Sequence, residues 1–250
     1  MADQVTIVNN ILRRLREDEV TSVADNVYSK LIAQFVNDAK DDMEDINHEW
    51  SVYVNEIDTT ILADSSTIKY DLSTTNDRSW LLRDWHDDRI PAAYDVTDDG
   101  AGNKNGSILM DIPSKVLYEW RNRNRETART ENFPVNFAVV SDTDGRGWTI
   151  ELEYPVATGA DARTWRTYWY IPQVNLALDG SADNTEVKLP RRPVEMRALY
   201  YAYNERGEEM GEPGGLAWER STASIGAALE TDMQVQKKSD EIDISRNESL

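Results

Sequence analysis

From Val27 to Trp50 the apolar residues recur at helical spacing. Val27, Leu31, Phe35, Ala39, Met43, Ile46 and Trp50 stand four apart, with one step of three. Positions three and four apart share a helix face, so the stretch predicts one long amphipathic helix. Neither Gly nor Pro interrupts it, and Asp25 is placed to cap its start. This helix is expected to be the spine of its domain, its core formed by Val27, Leu31, Phe35, Met43, Ile46 and Trp50. On that reading Phe35→Ala costs about 3–5 kcal/mol.

Upstream, Val5, Val8, Leu12 and Leu15, widened by Ile7 and Ile11, predict a shorter helix capped by Asp3. Arg13, Arg14 and Arg16 stand near its C-terminus, where the macrodipole favours cations. After Trp50 the period changes. Segments 51–62, 67–72, 107–112, 116–121, 135–141, 148–154 and 165–171 are short and rich in β-branched and aromatic residues, which predicts strands. Alternation is plainest in Trp148–Tyr154 and Trp165–Tyr170. Helix returns from Pro193 to about Arg206, with Gly207 as its stop, and again from Leu216 to about Gln236. Ala223, Gly226, Ala227 and Ala228 give the last helix a small-residue surface suited to close packing. The predicted fold class is α+β: N- and C-terminal helices form a bundle (residues 1–50 and 189–236), with an antiparallel β-domain inserted at 51–188. Residues 237–250 are expected to be an extended, polar tail.

Composition narrows the function. Acids outnumber bases 46 to 27, a formal net charge of −19. Nucleic-acid binding through phosphate neutralisation needs a basic face, and this balance opposes it. There is no cysteine, which excludes disulfides, thiolate metal sites and Cys nucleophiles and fits assembly in a reducing cytoplasm. No apolar run reaches the ~18–20 residues of a membrane span, and Met1-Ala2-Asp3-Gln4 lacks the regions of a signal peptide. Eight Trp and eleven Tyr beside three Phe suit amphipathic interfaces.

An enzyme site is hard to assemble, and no catalytic residue, metal site or cofactor is predicted. The two histidines, His48 and His86, stand in no metalloprotease spacing; His48 reads as solvated and His86 as part of a surface loop. Asp142–Gly147 resembles the start of a calcium loop without its later ligands, and reads as a turn. Glu151 and Glu153 share a strand face without further support for hydrolysis. Arg121, Arg123, Arg125 and Arg129 form the one basic cluster, either a contact for phosphate or an acidic partner or, without aromatics interleaved for stacking, an exposed strand edge or loop. Asp38, Asp42, Asp45 and Glu49 follow one side of the spine, either as a solvated face or as a functional acidic surface.

A short helix holding Ile7–Leu12, a long helix closing on Ile46-Asn47-His48-Glu49-Trp50, and a strand holding Thr59–Leu62 together resemble the head-to-tail adaptors of short-tailed bacteriophages. These are the tail tubular protein A, gatekeeper or head-completion type. The likeness covers roughly the first seventy residues in pattern and the rest in element order. It implies a non-enzymatic virion protein, assembled in the host cytoplasm, that forms a homo-oligomeric ring, a dodecamer, between portal and tail nozzle. It further implies a conduit through which genomic DNA passes without sequence-specific binding. The portal-docking tail then maps onto Lys237, Lys238, Ile242, Ile244 and Leu250, and Asp38, Asp42, Asp45 and Glu49 become candidates for the channel lining. Asp98–Gly106 and Asp179–Asn184 are extra loops relative to the smallest members. A glycan- or cell-surface-binding β-module using the Trp/Tyr strands is the alternative reading.

Overall fold

In chain order the elements are β1 (Ala2–Asp3), α1 (Gln4–Arg14), α2 (Val27–Glu44), β2 (Val54–Ile61), β3 (Thr67–Tyr70), β4 (Trp80–Leu81), β5 (Ala93–Asp95), β6 (Ile108–Asp111), α3 (Ser114–Arg123), β7 (Asn136–Ser141), β8 (Trp148–Leu152), β9 (Arg163–Tyr170), β10 (Glu186–Val187), α4 (Arg191–Glu205) and α5 (Leu216–Asn247). The computed structural model describes residues 2–46, 48–61, 67–70, 79–82, 93–97, 108–123, 136–141, 148–153, 163–208 and 215–247. Helix and small sheets are both present, as an α+β chain requires. The chain divides into a helical unit, Met1–Tyr53 with Gln173–Leu250, and a β unit, Val54–Pro172.

In the helical unit, Asp3 caps α1 as its sequence predicts, its Oδ1 accepting from the Thr6 amide at 2.9 Å. Ile7, Val8, Ile11 and Leu12 are buried on one face. The cap of α2 is Asn26, not Asp25. Asn26 Oδ1 accepts from the Ser29 amide at 2.7 Å and the Asn26 amide donates to Ser29 Oγ at 3.2 Å, a reciprocal capping box. Asp25 turns back instead, accepting from the Thr21 and Ser22 amides at 2.8 and 2.9 Å.

The buried face of α2 is rotated from the predicted stripe. Ile32, Ala33, Val36, Ala39 and Met43 are buried, together with Ser29, Asn37 and Lys40. Val27 is 85% exposed, and Leu31, Phe35 and Ile46 are only half-buried. The reason is polar satisfaction: three polar side chains occupy the inner face because each finds a backbone partner there. Ser29 Oγ donates to Val23 O at 2.8 Å, Asn37 holds Leu176, and Lys40 Nζ donates to Gln173 O at 2.7 Å. The helix also ends at Glu44, so Ile46 and Trp50 lie beyond it. Trp50 is fully buried all the same, its indole donating to Met43 O at 2.9 Å and so satisfying a carbonyl of the last turn.

Residues 173–188 belong to the helical unit, so the inserted segment ends earlier than residue 188. They are pinned by the Asn37 and Lys40 contacts and by β10, which pairs antiparallel with β1. Val23 adds to this, its amide donating to Asp183 Oδ1 at 3.0 Å. Helix α4 ends in a Schellman motif. Gly207 takes φ +66°, its amide donates to Asn204 O, and that of Glu208 donates to Tyr203 O, both at 3.0 Å. The backbone of α5 runs on to Asn247, where an extended tail is expected after Gln236. Residues 237–247 contain neither Gly nor Pro, the two strongest helix breakers, so nothing in their sequence stops the helix that enters from Gln236.

In the β unit the described strands follow the path β2-β9-β5-β6-β7-β8-β3, and β4 also pairs with β9. Strand β9 is central: Val54 to Ile61 run antiparallel to it, from Val54 opposite Tyr170 to Ile61 opposite Arg163. Trp165, Thr167 and Trp169 turn inward at period two. The core joins Trp165 and Trp169 to Ile61, Phe137, Ile150 and Leu152. One pairing departs from the antiparallel expectation. Strands β6 and β7 are parallel, Met110 opposite Asn136. Parallel neighbours need a crossover, usually helical, and α3 lies within it. Residues 116–121 are therefore helix rather than strand, opened by Pro113, whose carbonyl accepts from the Val116 and Leu117 amides.

Candidate docking surface

The loop after α2 is clasped by α5 through one carboxylate. Asp232 is 8% exposed. Its Oδ2 lies 2.8 Å from His48 Nε2 and accepts from the Ser51 amide at 3.1 Å, while Oδ1 accepts from Ser51 Oγ at 2.5 Å. Gln236 Nε2 bridges the same carboxylate and Glu49 O, at 3.1 and 2.7 Å. The His48 ring meets Trp50 edge-on at 5.0 Å between centroids. His48 is therefore an anchored, largely buried group and not the solvated one its sequence position suggests. The trio of Ser, His and Asp is not a nucleophilic relay. In such a relay the hydroxyl donates its hydrogen bond to the imidazole, which then takes the proton; here the Ser51 hydroxyl donates its hydrogen bond to the carboxylate instead.

The four acids proposed for a channel lining do not share one helix face. Asp38 and Asp42 lie on α2, Asp45 is its C-cap, and Glu49 stands in the following loop. Asp38 accepts from Gln34 Nε2 at 2.8 Å. Asp42 is engaged inside the unit, paired with Arg197 at 2.8 Å and accepting from the Tyr201 hydroxyl. Burial, reinforced by the Asp42 carboxylate, pushes the Tyr201 phenol well above its ordinary value. The Arg197 guanidinium also lies over the Trp218 ring, 4.4 Å from its centroid, a cation–π contact linking α4 to α5.

Arg121 is on α3, not on a strand edge, and ties it to β8. It donates to Glu151 Oε2 at 2.7 Å and to the Leu152 carbonyl. Tyr118 reaches the same Glu151, and desolvation together with that carboxylate raises the Tyr118 phenol. Glu153 is 4% exposed and accepts from Asn136 Nδ2 at 2.9 Å. Glu151 and Glu153 are thus each committed to a structural contact. His86, Asp98–Gly106, Arg125, Arg129, Asp142–Gly147 and Leu250 lie outside the described residues. So do the side chains of Arg123, Lys237, Lys238, Ile242 and Ile244, although the backbone of the last four is in α5.

A groove lies between the start of α4 and the outer face of α5, about 880 Å³ in volume. Ala223, Ala227, Ala228 and Met196 line it, and Val52 and Val235, 37% and 54% exposed, stand at one end. Arg191, Arg192 and Arg220 line it too, and the same three residues with Arg14 line an adjoining hollow of about 480 Å³. Arg191 is held by Glu195 at 2.6 Å. Among the described residues neither Arg192 nor Arg220 has an ion-pair partner, and both are exposed. Among the described residues nothing covers the small-residue surface predicted for close packing: a Cβ added at Gly226 would meet none of them within 4 Å.

The chain matches no protein-family model and no curated protein. Among the described residues no helix is long and apolar enough to cross a membrane.

Proposed function

We propose that the chain is a structural subunit of a phage head–tail junction, an adaptor that works by oligomerisation and docking. The observation that carries this reading is the chain's organisation. Both ends of the sequence build one helical unit, and the segment between Val54 and Pro172 forms a second unit of its own. That is the element order implied by the resemblance to head-to-tail adaptors. An uncovered groove on the helical unit, and an acidic chain unsuited to holding DNA phosphates, support it further. In this reading copies form a ring, a dodecamer matching the portal, the helical unit docks on the portal through residues 237–250, and the β unit faces the tail nozzle. DNA passes without sequence-specific contact.

Co-assembly with a cognate portal tests it, using the full chain and a version ending at Gln236, read by native mass and negative-stain imaging. The expected result is rings stacked on portal with the full chain only. A full chain that ignores portal overturns the reading and sends the Trp/Tyr strands to a glycan screen.

A further inference from the structure

We infer that the groove between α4 and α5 receives the acidic, isoleucine-bearing segment Asp240–Ile244 of a second copy of this chain. The groove has two chemically distinct ends. Arg192 and Arg220 bring cationic charge without an ion-pair partner among the described residues, in a chain of net charge −19. Val52 and Val235 bring exposed aliphatic surface, and the alanines between them allow a backbone to approach closely. A fitting occupant therefore combines several acids with aliphatic side chains over a short length. Arg220 and Val235 are both on α5, so the groove runs about 22 Å along that helix, room for a few turns of helix or a short extended peptide.

The chain itself supplies that chemistry. Asp240-Glu241-Ile242-Asp243-Ile244 interleaves three acids with two isoleucines. It cannot reach the groove of its own chain. Helix α5 is continuous through Asn247, which sets Ile242 about 33 Å along the axis from Arg220. The segment is consequently presented away from its own arginines and toward a neighbour. Such a contact is heterologous, tail of one copy to groove of the next, and a heterologous contact closes into a ring when the rotation allows. The inference does not require the adaptor reading. Where that reading also holds, portal and neighbouring groove compete for the same segment.

Charge exchange tests it on full-length chains by sedimentation velocity. R192E/R220E removes the cationic end, and D240K/E241K/D243K reverses the segment. The expected result is concentration-dependent association of the wild type, at least about tenfold weaker in each variant alone and restored when the two variants are mixed. Restoration on mixing also shows that both variants are folded. A labelled synthetic peptide of residues 237–250 should bind the wild-type chain in a salt-dependent manner, and its I242S/I244S form should not. Variants that associate like the wild type, or a mixture that stays dissociated, overturn the inference. So does a monomeric wild type that takes up no peptide. Loss of portal co-assembly in R192E/R220E with no peptide binding would assign the groove to a portal segment instead, overturning this occupant and leaving the adaptor reading standing.

Discussion

His48 Nε2 and Asp232 Oδ2 lie 2.8 Å apart, joining the loop after α2 to the middle of α5 across 184 positions of sequence. The same carboxylate accepts from the Ser51 amide and hydroxyl and from Gln236. Removing it leaves several largely buried donors unpaired at once, each costing about 1–3 kcal/mol in desolvation. Asp232→Ala is therefore expected to destabilise the helical unit by about 2–4 kcal/mol. Urea unfolding followed by hydrogen exchange on α5 measures this. An unchanged midpoint would mean that water replaces the carboxylate without penalty.

Lys40 is 1% exposed, with Glu44 at 3.4 Å and Asp41 at 3.3 Å, and donates to Gln173 O. Breaking a buried pair from one side costs about 3–5 kcal/mol, because the surviving charge is stranded. Lys40→Met retains most of the volume, so its loss of stability reports the removed charge together with the hydrogen bond to Gln173 O. Lys40→Met with Glu44→Gln should recover part of it. Equal stability of the single and double variants in denaturant melts would show that Glu44 is satisfied without Lys40, through the Tyr53 hydroxyl that it also accepts at 2.7 Å.

Asn37 and Leu176 form a two-way backbone clamp. The amide nitrogen of Asn37 donates to Leu176 O and its oxygen accepts from the Leu176 amide, both at 2.9 Å. Asn37→Leu keeps the volume and orphans both backbone groups, for an expected cost of about 2–4 kcal/mol. Hydrogen exchange of the Leu176 amide should accelerate more than that of neighbouring residues. Uniform acceleration throughout the unit would point to a general packing defect.

Lys40 and Asn37 also explain what could be read in advance and what could not. Local signals sufficed where structure is decided locally. Asp3 caps α1, Gly207 stops α4, and the alternation of Trp165 to Tyr170 gives the inward face of β9. The face of α2 is not legible in the sequence because two of its inner polar residues, Asn37 and Lys40, are satisfied by backbone 139 and 133 positions away, and periodicity has no access to such partners. Helix α3 departs from the strand its sequence predicts for a related reason. Val116-Leu117-Tyr118 has strand-like composition, but the parallel pairing of β6 with β7 requires a crossover there. The His48–Asp232 clasp left no local signal, and the groove could be glimpsed only as a run of small residues on α5.

The rotated face of α2 predicts an inverted mutational pattern. Ile32 is fully buried and Ile32→Ala should cost about 2–5 kcal/mol. Val27, which the bare periodicity places in the core, is exposed, so Val27→Ala should stay within about 0.5 kcal/mol of wild type. Phe35 is half-buried beside Tyr201, ring centroids 6.0 Å apart, and Phe35→Ala should fall below Ile32→Ala. Chemical denaturation of the three single variants decides the order. Val27→Ala as the most damaging of them would restore the stripe read from spacing alone.

Asp25 gives a pH test with a defined sign. Hydrogen bonds from the Ser22 and Thr21 amides, and from the Thr21 hydroxyl, hold its carboxyl below the ordinary range. A carboxyl whose folded value is depressed contributes stability in full above its unfolded value of about 3.9. That contribution is lost as pH falls through the folded value. The wild type should therefore exceed Asp25→Asn in stability at neutral pH, and the two should converge below about pH 4. Thermal melts at neutral pH and across the acid range measure the gap. A gap that stays constant on acidification, or no gap at any pH, would mean that the turn at 21–25 is held by its backbone hydrogen bond from the Asp25 amide to Ser22 O, 3.1 Å long, and not by the carboxylate.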